Sequence, residues 1–149
     1  HFIGHSLGGL VIRSYLQKSR SKIISNKLGK VILIGTPNGG SELADYYKDS
    51  WVMKVGGGIS QALVTGTSSF GHLLDEIDIN VGVIAGTKSS VLTKDLFNGP
   101  NDGLVSVEST KLENMRDFLT IDVSHSKMRY NEEVALQAIW FLRRGSFKH

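Results

Sequence analysis

A serine between glycines near the start of the sequence carries the first chemical signal. Residues 4–8, Gly-His-Ser-Leu-Gly, match the pattern Gly-x-Ser-x-Gly, in which a sharp strand-to-helix turn exposes a nucleophilic hydroxyl. Apolar Phe2 and Ile3 precede this pattern, and apolar residues at helical spacing follow it. The pattern therefore predicts Ser6 as a nucleophile, with the Leu7 backbone N–H at the start of the helix stabilising an oxyanion. The alternative interpretation is an ordinary glycine turn.

A serine hydroxyl is a weak nucleophile and needs a neighbouring base, which in the strand-turn-helix context is a histidine later in the chain. His125 is the best placed of the five histidines, because it follows an apolar run ending at Val123. The carboxyl ends of parallel strands are where ligands and catalytic groups gather. His72 stands in an irregular stretch, where a surface or packing role is the better interpretation. His125 is therefore predicted as the base.

The third group should be a carboxylate between the serine and the histidine, and Asp95 and Asp102 are the candidates. Asp102 lies in a turn-rich loop, residues 98–103, that can fix a carboxylate, and apolar Leu104 and Val105 can anchor that loop to a core. An acid there would hold the histidine in one tautomer and stabilise its imidazolium. We predict Asp102, with a purely structural turn or capping role as the alternative.

The elements that must position these residues alternate between strands and helices. Short apolar runs predict buried strands at residues 31–34, 81–85 and 118–123, and helical spacing predicts helices after Ser6 and from Asn131 to Gly145. This alternation predicts an α/β fold in which helices cover both faces of a parallel sheet. Residues 1–149 are expected to form one domain, interrupted by an irregular insertion.

Composition limits the partners and cofactors. The chain has 149 residues, a net charge of +3 and no cysteine, so disulfides and thiolate zinc sites are excluded. The basic residues show no interleaved aromatic pattern, which argues against nucleic-acid binding, although transient contact with a lipid surface stays open. No apolar run is long enough to span a membrane and no export signal is present, so the compartment is unknown. Asp75, Glu76 and Asp78 lack calcium-loop spacing, and no metal site is predicted.

Three motifs together resemble lipase- and esterase-like α/β-hydrolases. They are Gly-His-Ser-Leu-Gly-Gly at 4–9, Gly-Thr-Pro-Asn-Gly-Gly-Ser at 35–41 and Asn-Asp-Gly-Leu-Val at 101–105. The resemblance implies hydrolysis of carboxylic esters, on small-molecule or lipid substrates, through an acyl-enzyme without a cofactor. It also implies a cap or lid around residues 41–75, and substrate contacts by His5, Trp51 and Met53.

The resemblance covers only the C-terminal half of such a hydrolase. In that family a second oxyanion donor lies upstream of the nucleophile strand, which here means upstream of His1. We therefore expect the missing N-terminal half of the same fold to complete the site, and these residues alone to fold poorly and react slowly.

Two other functions stay open at this stage. The same three residues could transfer an acyl group to another acceptor, or cleave a thioester or an amide. A catalytically inactive scaffold that acts as a binding module is the non-enzymatic alternative.

Overall fold

The described part of the fold is a parallel sheet. The computed structural model describes residues 1–19, 28–40, 80–91 and 93–149. Within them, four strands pair in parallel in the order β1-β2-β3-β4, and their bounds are Phe2–His5, Val31–Ile34, Val81–Gly86 and Asp117–Ile121. The predicted parallel sheet is confirmed. The last strand is shifted from the predicted 118–123, because the chain has left the sheet before Val123.

The central strand β2 shows why the sequence folds this way. Its four residues are aliphatic and all are buried. Ile32 and Ile34 belong to an apolar cluster on one face of the sheet, whereas Val31 and Leu33 belong to a second cluster on the other face. A strand buried on both faces needs a continuous apolar run, and this is the pattern that the sequence shows.

Helices cover both faces, as predicted. Helix α1, Leu7–Lys18, packs on β1 and β2 through Leu16, and helix α3, Glu132–Arg144, packs on the opposite face through Phe141. A short helix α2 spans Val107–Thr110, and 3₁₀ turns lie at Lys94–Leu96 and His125–Tyr130. The ends of α3 match the predicted caps: the Val134 N–H donates to the Asn131 side chain at 3.0 Å, and Gly145 ends the helix with φ 83°.

The residues that α1 buries differ from those that its apolar spacing predicts to be buried. Val11 is 60% exposed and Tyr15 lies half in solvent, whereas the charged Arg13 is only 3% exposed. Arg13 donates from Nη1 to Asn38 Oδ1 at 3.0 Å, and Asn38 donates to the Thr110 carbonyl at 2.7 Å. Burial lowers the pKa of Arg13 to about 10, so the guanidinium stays charged near neutral pH. Hydrogen bonds, which the apolar spacing does not encode, therefore let a cation lie on the inner face.

Asp117, the first residue of β4, fixes the end of the chain. Its carboxylate accepts from the Phe147 N–H at 2.7 Å, the Phe118 N–H at 2.8 Å and His149 Nε2 at 3.0 Å. Partial burial acts to raise the pKa of Asp117, but the bonds from Phe147, His149 and Phe118 outweigh it and hold the pKa below its ordinary 3.8. The bonded Phe147 lies buried against Phe141.

This contact predicts a pH-dependent loss of stability. A lowered folded-state pKa means that ionised Asp117 stabilises the fold above the unfolded-state pKa, and that this stabilisation is lost as pH falls through the folded-state pKa. We expect Asp117→Asn to lower the free energy of unfolding at about pH 7, with the difference from wild type shrinking below about pH 4. Urea denaturation across this range measures it.

Asp122→Asn is the matched control, because Asp122 loses the same charge but is exposed. Equal losses in both variants, or a pH-independent loss from Asp117→Asn, would contradict the assignment.

Candidate active site

Ser6 sits at a sharp turn between β1 and α1. Its backbone has φ 54° and ψ −128°, and within the described residues it is the one non-glycine residue with positive φ. Its N–H donates to the Ile34 carbonyl at 2.9 Å, which ties the turn to the end of β2. Such a conformation is costly for a residue with a Cβ and persists only where the surrounding structure enforces it. Helix α1 begins at Leu7, so the Leu7 N–H is one of the first-turn amides that have no acceptor inside the helix.

The three side chains selected from the sequence form one hydrogen-bonded chain. His125 Nδ1 lies 2.7 Å from Asp102 Oδ2, and His125 Nε2 lies 2.9 Å from Ser6 Oγ. A carboxylate can only accept, so Nδ1 carries the proton and donates it to Asp102. The neutral ring then presents a lone pair at Nε2, which accepts from the Ser6 hydroxyl. This arrangement can take a proton from the hydroxyl and hold the resulting imidazolium beside a carboxylate.

Asp102 is held from all sides. It is 2% exposed, and its Oδ1 accepts from the Leu104 N–H at 3.0 Å and the Val105 N–H at 2.8 Å. Its own N–H donates to the Val105 carbonyl at 3.1 Å, and its carbonyl accepts from the His125 N–H at 2.9 Å. Val105 is buried and anchors the loop as expected, but Leu104 is 40% exposed and does not.

His125 reaches Ser6 across the ends of two strands. Ser6 follows β1 and His125 follows β4, three strand spacings away, which is roughly 14 Å. Gly35 and Gly86 stand at the ends of the strands between them. A Cβ on Gly86 would lie 2.4 Å from the Val123 carbonyl and 2.7 Å from Asp102 Cβ, and one on Gly35 would meet the Met128 sulfur at 2.9 Å. Asp102 and the loop that carries His125 therefore pack directly against backbone that has no side chain.

These supporting residues were missed by the sequence reasoning. Gly35 and Gly86 directly follow the predicted strands at 31–34 and 81–85, and a glycine at the end of two successive buried strands is a signal for close approach. Met128 carries no such signal. Its side chain, 1% exposed, fills the space beneath the loop.

The predicted substrate contacts divide into two groups. His5 lies next to the site, and its Nε2 is 2.9 Å from the His125 carbonyl. Trp51, Met53, His72 and the predicted lid around residues 41–75 lie outside the described residues, and they stay predictions. Asp95 is exposed in the 3₁₀ turn and is not part of the hydrogen-bonded chain described above.

Two kinds of feature are absent from the described ranges. No group of three or more His, Cys, Asp or Glu side chains there could hold a metal ion. No helix within those ranges has both the length and the apolar character that crossing a membrane requires.

Comparison with solved structures identifies the fold. The propeptide form of Bacillus licheniformis lipase BlEst2 superimposes with a TM-score of 0.72 and 20% identity, over 99% of this chain and 36% of that one. The chain has an α/β-hydrolase fold. The mature form of the same lipase gives a TM-score of 0.67 and 23% identity over 96% of this chain and 64% of that one. The metagenomic carboxyl esterase MGS0156 gives a TM-score of 0.60 and 15% identity, over 85% of this chain and 45% of that one.

The likeness extends to the fold and not to the sequence. No protein-family model matches the sequence, and no curated protein is significantly similar to it. The chain spans between 36% and 64% of the length of these three hydrolase structures. It therefore corresponds to one part of each of these longer chains.

The close approach at Gly86 predicts a large effect from one methyl group. Gly86→Ala would push a Cβ into Asp102 and the Val123 carbonyl, so we expect the free energy of unfolding to fall by about 1–3 kcal/mol. Urea denaturation measures this change.

Gly99→Ala is the control, because a Cβ on this exposed glycine in the same loop region would meet no atom within 4 Å. If both variants were as stable as wild type, Gly86 would not support the acid in the way described.

Proposed function

We propose that this chain is the catalytic part of a serine hydrolase that cleaves carboxylic esters. Ser6 is the nucleophile, His125 the general base and acid, and Asp102 the group that orients His125. The proposal depends above all on the hydrogen-bonded chain from Asp102 through His125 to Ser6. An ordinary glycine turn would not need a serine held at positive φ beside a histidine nitrogen.

The proposed reaction has two steps. In the first, Ser6 Oγ attacks the ester carbonyl while its proton passes to His125 Nε2, and the leaving alcohol then takes that proton as its C–O bond breaks. In the second, His125 removes a proton from water, which attacks the acyl carbon. The bond from that carbon to Ser6 Oγ then breaks, His125 returns the proton to Oγ, and the carboxylic acid leaves. The imidazolium that forms twice carries its Nδ1–H bond to Asp102 throughout, so the ring keeps its tautomer and position.

Stabilisation of the oxyanion needs donors close to Ser6. The Leu7 N–H, at the start of α1, is the proposed first donor, because the helix adds its positive end to the amide. We propose that the second donor comes from residues outside this chain, consistent with the greater length of the similar hydrolases. The exposed Ile3 on β1, at the edge of the described sheet, is consistent with further structure on that side.

An ester is the substrate class that fits best. The similar structures are a lipase and a carboxyl esterase, as their names state, and the proposed nucleophile, base and orienting carboxylate are the groups that move the proton and the acyl group in both steps.

Replacing the acid or the nucleophile gives the sharpest test. Ser6→Ala removes the attacking atom and should abolish both p-nitrophenyl butyrate turnover and covalent labelling by a fluorophosphonate probe. Asp102→Asn keeps the shape but favours the wrong tautomer of His125, so we expect turnover to fall by roughly 10⁴-fold. Both are measured in the full-length protein.

Asp95→Asn is the matched control for Asp102→Asn, because Asp95 is exposed and lies apart from the hydrogen-bonded chain. A folded protein that neither labels at Ser6 nor turns over esters would overturn the proposal in favour of a binding module. Labelling at Ser6 without ester hydrolysis would instead indicate transfer to an acceptor other than water.

A further inference from the structure

His5, the residue before the serine, reaches across the site to the backbone of the base. Its Nε2 lies 2.9 Å from the carbonyl oxygen of His125, which is 120 positions away in the sequence. A carbonyl only accepts, so His5 carries its proton on Nε2 and donates it. This bond joins the end of β1 directly to the loop that follows β4.

The bond from His5 complements those from Asp102. The Asp102 carbonyl accepts from the His125 N–H, and the Asp102 carboxylate accepts from the His125 ring. The carbonyl side of the His125 peptide is held by His5 alone among the contacts described above. The two imidazole rings also pack against each other, with centroids 4.9 Å apart and planes tilted by 44°.

We propose that His5 is a positioning residue that sets the distance between His125 and Ser6, and that it does so as a neutral imidazole. The inference rests on the proposed function, since it assigns to His5 a role in the turnover of the Ser6 nucleophile. His5 ends the strand that precedes Ser6, and it donates a hydrogen bond to the loop that carries His125. This bond therefore couples the position of His125 to that of Ser6. A residue that only contacted substrate would have no need of this bond.

The charges around His5 explain why its neutral form matters. His125 and Arg129 face it from the 3₁₀ turn after β4, and Asp102 faces it from the loop after β3. Burial lowers the pKa of His5, and repulsion from His125 and Arg129 acts in the same direction, against the hydrogen bond to His125 and the attraction of Asp102. A cationic His5 would place a second positive charge beside the imidazolium that His125 must form in each step.

The first experiment compares two uncharged amides at position 5. In His5→Gln the side-chain nitrogen stands where the His5 Nε2 stands, so it can still donate to the His125 carbonyl, whereas the shorter side chain in His5→Asn cannot reach it. We expect His5→Asn to lower kcat about 3- to 10-fold, the range expected for one hydrogen bond, with KM little changed. His5→Gln should keep most of the wild-type kcat. Equal kcat values in the two variants would overturn the positioning role, and a change confined to KM would indicate a substrate contact instead.

The second experiment tests the neutral form through the acid limb of the pH profile of kcat/KM. In the wild type, protonation of His5 should add to the loss of activity as the pH falls, so the acid limb should be steeper than in a protein that lacks this imidazole. In His5→Gln no imidazole stands at position 5, and the acid limb should be shallower than in the wild type. Identical limbs in the two proteins would contradict the requirement for a neutral His5, provided that circular dichroism shows both folded over the range.

Fluorophosphonate labelling separates this inference from the proposed function. If Ser6 labels in the wild type and in both His5 variants, the nucleophile assignment holds, and the kinetic comparison alone decides the role of His5. If Ser6 does not label in the folded wild type, the proposed function fails first.

Discussion

The distance between neighbouring parallel strands imposes the main constraint on this structure. The serine and the histidine follow strands at opposite sides of the described sheet, and parallel strands cannot bring them closer than their spacing allows. The chain after β4 must therefore run back over the ends of β3 and β2. It can approach the sheet closely enough for His125 to reach Ser6 because glycines stand at the ends of these strands. The Asp102 loop also holds it there, because the Asp102 carbonyl accepts from the His125 N–H. The hydrogen-bonded chain thus depends on contact between backbones as much as on the three side chains that form it.

The same geometry accounts for the burial of the acid. A carboxylate that supports the crossing loop from beneath cannot also face water, and removing it from water is costly unless its oxygens are bonded. Asp102 meets this demand with two amide donors on one oxygen and the imidazole on the other. The two amides belong to Leu104 and Val105, which follow Gly103. A short turn therefore supplies most of the hydrogen bonds to the Asp102 carboxylate. This explains how a loop rich in turn residues, and not a strand, can hold a buried carboxylate.

Much of the fold could be predicted from the sequence because its signals are local. The aliphatic run at 31–34, between two glycines, favours a strand buried on both faces, and Asn131 and Gly145 mark the two ends of a helix by cap chemistry. The proximity of Ser6, Asp102 and His125 followed from chain order and from their places at strand ends, and the structure brings the three together; their catalytic roles remain proposed. Burial of Arg13 could not be foreseen, because the asparagine that accepts from it lies 25 positions away. The bond from His5 to His125 spans a still larger separation, and no pattern of residue types signals it.

The strained backbone at Ser6 has a consequence for how such sequences change over time. A side chain at positive φ costs of the order of 1–3 kcal/mol relative to a conformation free of strain, and glycine escapes most of this cost. Thermodynamic stability and hydroxyl chemistry therefore favour different residues at this one position. In copies of this domain that have been released from selection on turnover, drift should carry the codon towards glycine. The residue found here in natural variants would accordingly separate lineages that still use the hydroxyl from those that keep only the scaffold.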